Sequence, residues 1–139
     1  MLDPDIITPS LSENYRHEFA PASLDPPLAR IDGPEAFAAR IKFIGAVMSS
    51  FPIRAKQTWP NPSLKQVVIW AESESMFHPH VRDNDDEEEW KYKGEYIYVI
   101  TMDQNCEKIE HVLEFVDSKA TQKLLGLVAR ASINIPGLF

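Results

Sequence analysis

Apolar and polar positions change period along this chain, and the changes mark its elements. Phe37, Ile41, Ile44, Met48 and Phe51 recur at spacings of four, three, four and three residues, the stripe of an amphipathic helix of about four turns. Asp32-Gly33-Pro34-Glu35 supplies the start: a cap candidate, a proline near the first turn and a glutamate after it. Pro52 sets the end, because the residue before a proline is pushed out of helical dihedrals. Beyond it the period falls to two. Ile53–Trp59 predicts a strand, closed by the turn Trp59-Pro60-Asn61-Pro62. Gln66–Phe77 predicts a long strand that begins as a continuous apolar run and then alternates. Trp90–Met102 and Lys108–Val116 predict two more, joined by residues 103–107. Asp117 or Ser118 caps a last helix with Ala120, Leu124, Leu127, Val128 and Ala131 on its buried side. The tail from Ile133 leaves that helix at Pro136-Gly137. Residues 1–30 hold five prolines and read as irregular, with at most a short helix across Ser12–Arg16. A helix, a run of antiparallel strands and a final helix make an α+β order rather than a βαβ one, in one domain of 139 residues.

The last two strands carry the chemistry. Side chains alternate between the faces of a strand, so Tyr92, Tyr96 and Tyr98 share one face, and Glu110, Val112, Glu114 and Val116 share one face of the next strand. If both faces line the inside of a curved sheet, phenols and a carboxylate meet in one pocket. A glutamate flanked by Leu113 and Phe115, with Val112 and Val116 on its own face, is placed for burial. Such a carboxyl suits a general acid or base near neutral pH. A buried phenol keeps its proton and can steady a developing oxyanion. Glu72 shares a face with Trp70 and is a candidate second carboxylate.

The net charge of −7 excludes a nucleic-acid surface. No run of about 18 apolar residues predicts a membrane span, and Met1–Asp5 lacks the basic start and apolar core of a signal peptide. The single cysteine, Cys106, permits no internal disulfide and fits a cytoplasmic protein. In its Gln-Asn-Cys-Glu turn it reads as a bystander. Asp83–Glu89 is a solvated acidic loop. His78-Pro79-His80 places its two rings in opposite directions, so no metal is expected. No glycine-rich phosphate loop occurs among the five glycines.

Arg16–Leu24, Phe51-Pro52, Val68–Ala71, Trp90–Tyr96 and Val112–Ser118 occur in an order that resembles the fungal SnoaL-like proteins of the nuclear-transport-factor-2-like superfamily. The resemblance covers residues 3–131. It implies a cone: a strongly curved antiparallel sheet wrapped against helices, with one pocket at its mouth. It also implies a cofactor-free isomerase, cyclase or rearrangement catalyst of polyketide, meroterpenoid or indole-alkaloid pathways. The Tyr92, Tyr96 and Glu114 spacing is most similar to a semipinacolase. Relative to the family, most of a first helix is missing before Leu2.

The same resemblance sets Arg16 and His17 at the pocket mouth. An imidazole titrates near neutral pH and can shuttle a proton, while Arg16 would pair with Glu114 or hold a substrate oxygen. The expected site is therefore Glu114, Tyr96, Tyr92 and His17 for chemistry, with Arg16, Trp70, Glu72 and Tyr98 binding an apolar oxygenated substrate. The broad sheet and the surface left bare by the missing helix predict a homodimer. A non-catalytic binding or dimerisation module is the other reading of such a fold.

Overall fold

The computed structural model describes residues 7–135. In chain order its main elements are β1 (Leu11–Ala20), β2 (Ile31–Asp32), α1 (Pro34–Val47), β3 (Met48–Ser50), β4 (Ile53–Asn61), β5 (Gln66–Phe77), β6 (Lys91–Met102), β7 (Ile109–Val116) and α2 (Ser118–Ser132). They build one seven-stranded sheet in the order β2-β1-β7-β6-β5-β3, with β4 also paired to β5. The sheet curls into a half-barrel, and the two helices close its concave side. The cone-like α+β architecture is as expected. The sheet is mixed, however, because β1 runs parallel to β7.

That parallel strand corrects the reading of residues 1–30. Leu11–Ala20 is neither irregular nor helical across Ser12–Arg16; it is a ten-residue strand. A register irregularity between Leu11 and Arg16 interrupts its pairing. After it the chain alternates: Tyr15 and His17 are buried and Arg16 is exposed. The polar identity of His17 hides a period-two pattern that is nonetheless present.

Gly33 enters α1 in the left-handed region, at φ 87°, followed by Pro34 and by Glu35 in the first turn. The helix ends at Val47, about a turn before the apolar stripe runs out, because the sheet captures the next residues: Met48 pairs with Phe77 and Ser50 with Met76. Met48 is thus buried from a strand. The strand expected at Ile53–Trp59 continues through Pro60 to Asn61, which an edge strand tolerates. Asp117 caps α2, accepting from the amides of Lys119 and Ala120.

Val47, Phe77, Val81, Trp90, Leu127 and Ala131 fill one end of the half-barrel. Trp90 donates to Asn84 at 3.0 Å, and the Arg130 guanidinium lies 4.7 Å over its ring. Arg130 also binds Asp83, 2.9 Å from its Nε, and Glu89. Two carboxylates of the acidic loop are therefore tied to α2 rather than merely solvated. No helix among the described residues is long and apolar enough to cross a membrane.

Candidate active site

The half-barrel encloses a cavity of about 510 Å3. Most of its wall is hydrocarbon, with Phe19, Phe37, Phe43, Ile44, Ile69 and Leu124 among the contributors. Polar groups enter at few points: His17 from β1, Glu114 from β7, three tyrosines from β6, Thr121 from α2 and Arg40 from α1.

The parallel pairing of β1 and β7 creates the first polar cluster. Phe19 lies opposite Glu114 and His17 opposite Val112, so His17 and Glu114 project inward from adjacent strands. His17 Nε2 is 2.9 Å from Glu114 Oε1, and its Nδ1 is 2.7 Å from the hydroxyl of Tyr15. Burial, reinforced by the Glu114 charge, pushes the Tyr15 phenol well above its ordinary range. Tyr15 therefore keeps its proton, and the His17 ring bridges that phenol and the Glu114 carboxylate through its two nitrogens, with Nε2–H donating to the carboxylate. The imidazole is also stacked on Phe19, with 4.7 Å between ring centroids. Tyr15 is 2% exposed and His17 7%, so solvent screens this chain of bonds far less than a surface pair.

A second cluster depends on one glycine. Tyr92 and Tyr96 flank Gly94 on the inner face of β6 and fold over it until their hydroxyls meet at 3.2 Å. A Cβ on Gly94 would lie 2.4 Å from both phenol oxygens. The site thus needs a residue that lets side chains approach the backbone. Tyr96 also shares a hydrogen bond with Ser73 at 2.8 Å. Both hydroxyls are thereby engaged with protein. Tyr98 differs. It sits opposite Glu114 in the β6–β7 register and stacks beside Tyr96 at 5.5 Å. No described residue hydrogen-bonds its hydroxyl, and its ring lines the cavity. Burial raises all three phenols above the usual range, and the Glu114 charge raises Tyr98 further.

Five of the predicted residues thus converge: Glu114, His17, Tyr92, Tyr96 and Tyr98. Three do not. Ile69 and Ala71 face the cavity, so period two turns Trp70 and Glu72 to the outer face. There Trp70 donates to Glu95 at 2.9 Å and carries the Lys56 ammonium 3.9 Å over its ring. Glu72 pairs with Arg54 and, at 3.8 Å, with Lys56; it is not a second pocket carboxylate. Arg16 points the other way from its neighbour His17 and lies in an outer groove with Glu110 and His111, away from Glu114. A register irregularity near Met102 separates Glu110 from the face of Glu114.

Two residues escaped the sequence reading, Tyr15 behind His17 and Arg40 in the cavity wall. Tyr15 stands two positions before His17 and becomes visible once residues 11–20 are taken as a strand. Arg40 sits within the apolar stripe, between Phe37 and Ile44. No group of three or more histidine, cysteine or acidic side chains among the described residues could hold a metal. His78 and His80 do not diverge but stack at 5.1 Å, with His78 Nε2 bonded to the Gly45 carbonyl.

No protein-family model matches the chain, and no curated protein matches it. Solved structures do. The BvnE pinacolase from Penicillium brevicompactum superposes with a TM-score of 0.76 at 21% identity, over 92% of this chain and 81% of that one. PrhC from Penicillium brasilianum gives 0.74 at 13% identity, over 98% and 83%. An LEH-like epoxide hydrolase of M. tuberculosis gives 0.64 at 14% identity, over 98% and 81%. At these identities the likeness establishes the fold alone, a cone of the nuclear-transport-factor-2-like type.

Proposed function

We propose that this chain is a cofactor-independent enzyme of fungal secondary metabolism that isomerises, cyclises or rearranges an apolar, oxygenated polycyclic substrate by acid/base catalysis. The observation that carries this reading is Glu114: a carboxylate in the wall of a largely hydrocarbon cavity, held by an imidazole whose other nitrogen is already occupied by Tyr15. A pocket used only for packing has little need of such an arrangement. Structural neighbours with enzymatic names, a pinacolase and an epoxide hydrolase, support it at the level of the fold.

The geometry suits a semipinacol-type step. Glu114 takes the hydroxyl proton of an α-hydroxy carbonyl as a carbon–carbon bond migrates to the adjacent carbon. The carbonyl oxygen gains negative charge, receives a hydrogen bond from Tyr98, and then takes the proton back from Glu114. Product and substrate have equal mass, and no external reagent is consumed. Tyr98 is the donor because its hydroxyl is uncommitted, whereas Tyr92 and Tyr96 hold each other and Ser73. Those two shape the wall and the site polarity. The phenol stabilises the transition state only as far as it is aimed at the developing charge, and the apolar wall orients the rest of the substrate.

Glu114→Gln keeps the shape and removes the ionisation. It should lower turnover by roughly two to four powers of ten. Tyr98→Phe should cost more than Tyr96→Phe, because only the former removes a free donor. Equal and small effects on rate for all three variants, with altered product ratios, would mean that the pocket only orients a reactive substrate.

A further inference from the structure

Arg40 is a guanidinium in the cavity wall with no ion pair or hydrogen bond among the described residues. Arg30, Arg54 and Arg130 each hold a carboxylate, and Arg82 donates to the Phe77 carbonyl. Arg16 holds no carboxylate among the described residues either, but it lies in the outer groove; among the described residues Arg40 is the arginine that lines the cavity. Its surroundings are defined. The Arg40 Cζ lies 5.7 Å over the ring of Phe19, Phe19 stacks on His17, and His17 binds Glu114. Two aromatic rings therefore separate the cavity's free cation from its carboxylate.

We infer that Arg40 is a specificity-determining residue that receives a carboxylate, or an equivalent anionic oxygen, of the substrate. The inference rests on the cavity being the substrate site and does not depend on how Glu114 acts. The planar guanidinium presents a fork that matches two carboxylate oxygens. An anionic end would be repelled by Glu114 and attracted by Arg40. The charge difference along one wall would thus orient the substrate, leaving its neutral, reacting end at Glu114 and Tyr98. Since the overall negative charge disfavours anions at long range, this local cation would be what admits one.

The test needs no natural substrate. 2-Naphthoate and its neutral isostere 2-naphthamide are titrated calorimetrically into the whole chain at neutral pH. Wild type should bind naphthoate about tenfold more tightly than naphthamide, the scale of one partly solvated charge pair. Arg40→Gln should bring the ratio close to one, and Arg40→Lys should retain part of it. A ratio of one in wild type, or a naphthoate preference that survives Arg40→Gln, overturns the assignment and leaves the Glu114 reading intact. Failure of both probes to bind overturns the assignment together with the cavity as a ligand site.

Discussion

The β1–β7 strand pair carries two histidine–glutamate pairs, one on each face of the sheet. Inside, His17 of β1 meets Glu114 of β7 at 2.9 Å, with side chains 9% and 15% exposed. Outside the partners exchange strands: His111 of β7 meets Glu18 of β1 at 2.6 Å, with side chains 21% and 42% exposed. The functional groups are the same and the distances similar, so contact distance does not distinguish a candidate catalytic pair from a surface pair. Environment does. His111 of the outer pair lines a polar groove with Arg16, and water screens the pair. The inner pair has Tyr15 behind it, Phe19 stacked on it and a hydrocarbon cavity before it. Electrostatic interactions there are stronger, and the carboxylate's remaining acceptor sites are left for a ligand.

The largest expected effect exploits that contrast. Glu114→Gln should abolish most turnover, as argued above, while Glu18→Gln, the same change on the opposite face, should leave kcat and KM unchanged. Comparable losses in the two variants, measured in one steady-state assay, would break the distinction between the faces.

A second effect belongs to the inner face alone. All four tyrosines of the chain are buried or partly buried there, and burial raises each phenol above its ordinary value of 10.0. The folded state thus holds these protons more tightly than the unfolded state. Unfolded phenols ionise first as pH rises past about 10, so stability is full below that value and falls above it. Tyrosinate absorbance should remain low until the fold is lost, then appear together with the loss of circular dichroism. A gradual phenol titration while the dichroism is still native would show that the cavity phenols are solvated.

How much of this was legible follows from the same two faces. Tyr92 and Tyr96 on β6 are legible by parity, because charged neighbours mark the other side: Lys93 and Glu95 around Gly94. Tyr98 follows from the same period, and Glu114 on β7 is legible instead as a carboxylate among apolar residues, Val112, Leu113, Phe115 and Val116. Parity failed in β5. Val67, Val68, Ile69 and Trp70 are all apolar, so the run fits a strand covered on both faces and does not say which face is concave. The end of the strand held the answer: Ser73 and Ser75 are buried, while Glu74 between them is exposed. That pattern puts Trp70 and Glu72 outside. β1 was missed for a different reason. Its parallel partner is β7, near the other end of the chain, and its buried polar residue makes sense only beside Glu114. Local periodicity carries no trace of so distant a bond.

Glycine offers a stability comparison. Gly94 is enclosed by two phenols, whereas a Cβ at Gly126 in α2 would meet nothing within 4 Å. Gly94→Ala should force the Tyr92 and Tyr96 rings apart at a cost of about 1–3 kcal/mol, lowering the thermal midpoint. Gly126→Ala lies in a helix interior with open space and should stabilise by about 0.5–1 kcal/mol. Differential scanning calorimetry should therefore give shifts of opposite sign. A neutral Gly94→Ala would mean that the two hydroxyls need not meet over the backbone.

The smallest expected effect comes from the outer pair. The hydrogen bond from His111, helped by the charges of His111, Arg16 and Arg30, holds the Glu18 carboxyl below its ordinary value of 4.5. A depressed carboxyl stabilises the fold above its unfolded value, and the contribution disappears as pH falls through the lower, folded one. Because Glu18 is solvated, the gain is minor. Urea midpoints of wild type and Glu18→Gln should therefore differ slightly at about pH 6 and converge as pH falls through the lowered, folded value of Glu18, where its carboxyl takes up a proton. A difference that persisted unchanged throughout that fall would trace to packing rather than charge. A large loss at about pH 6 would make the outer pair as consequential as the inner one, and burial would then no longer separate the two histidine–glutamate pairs.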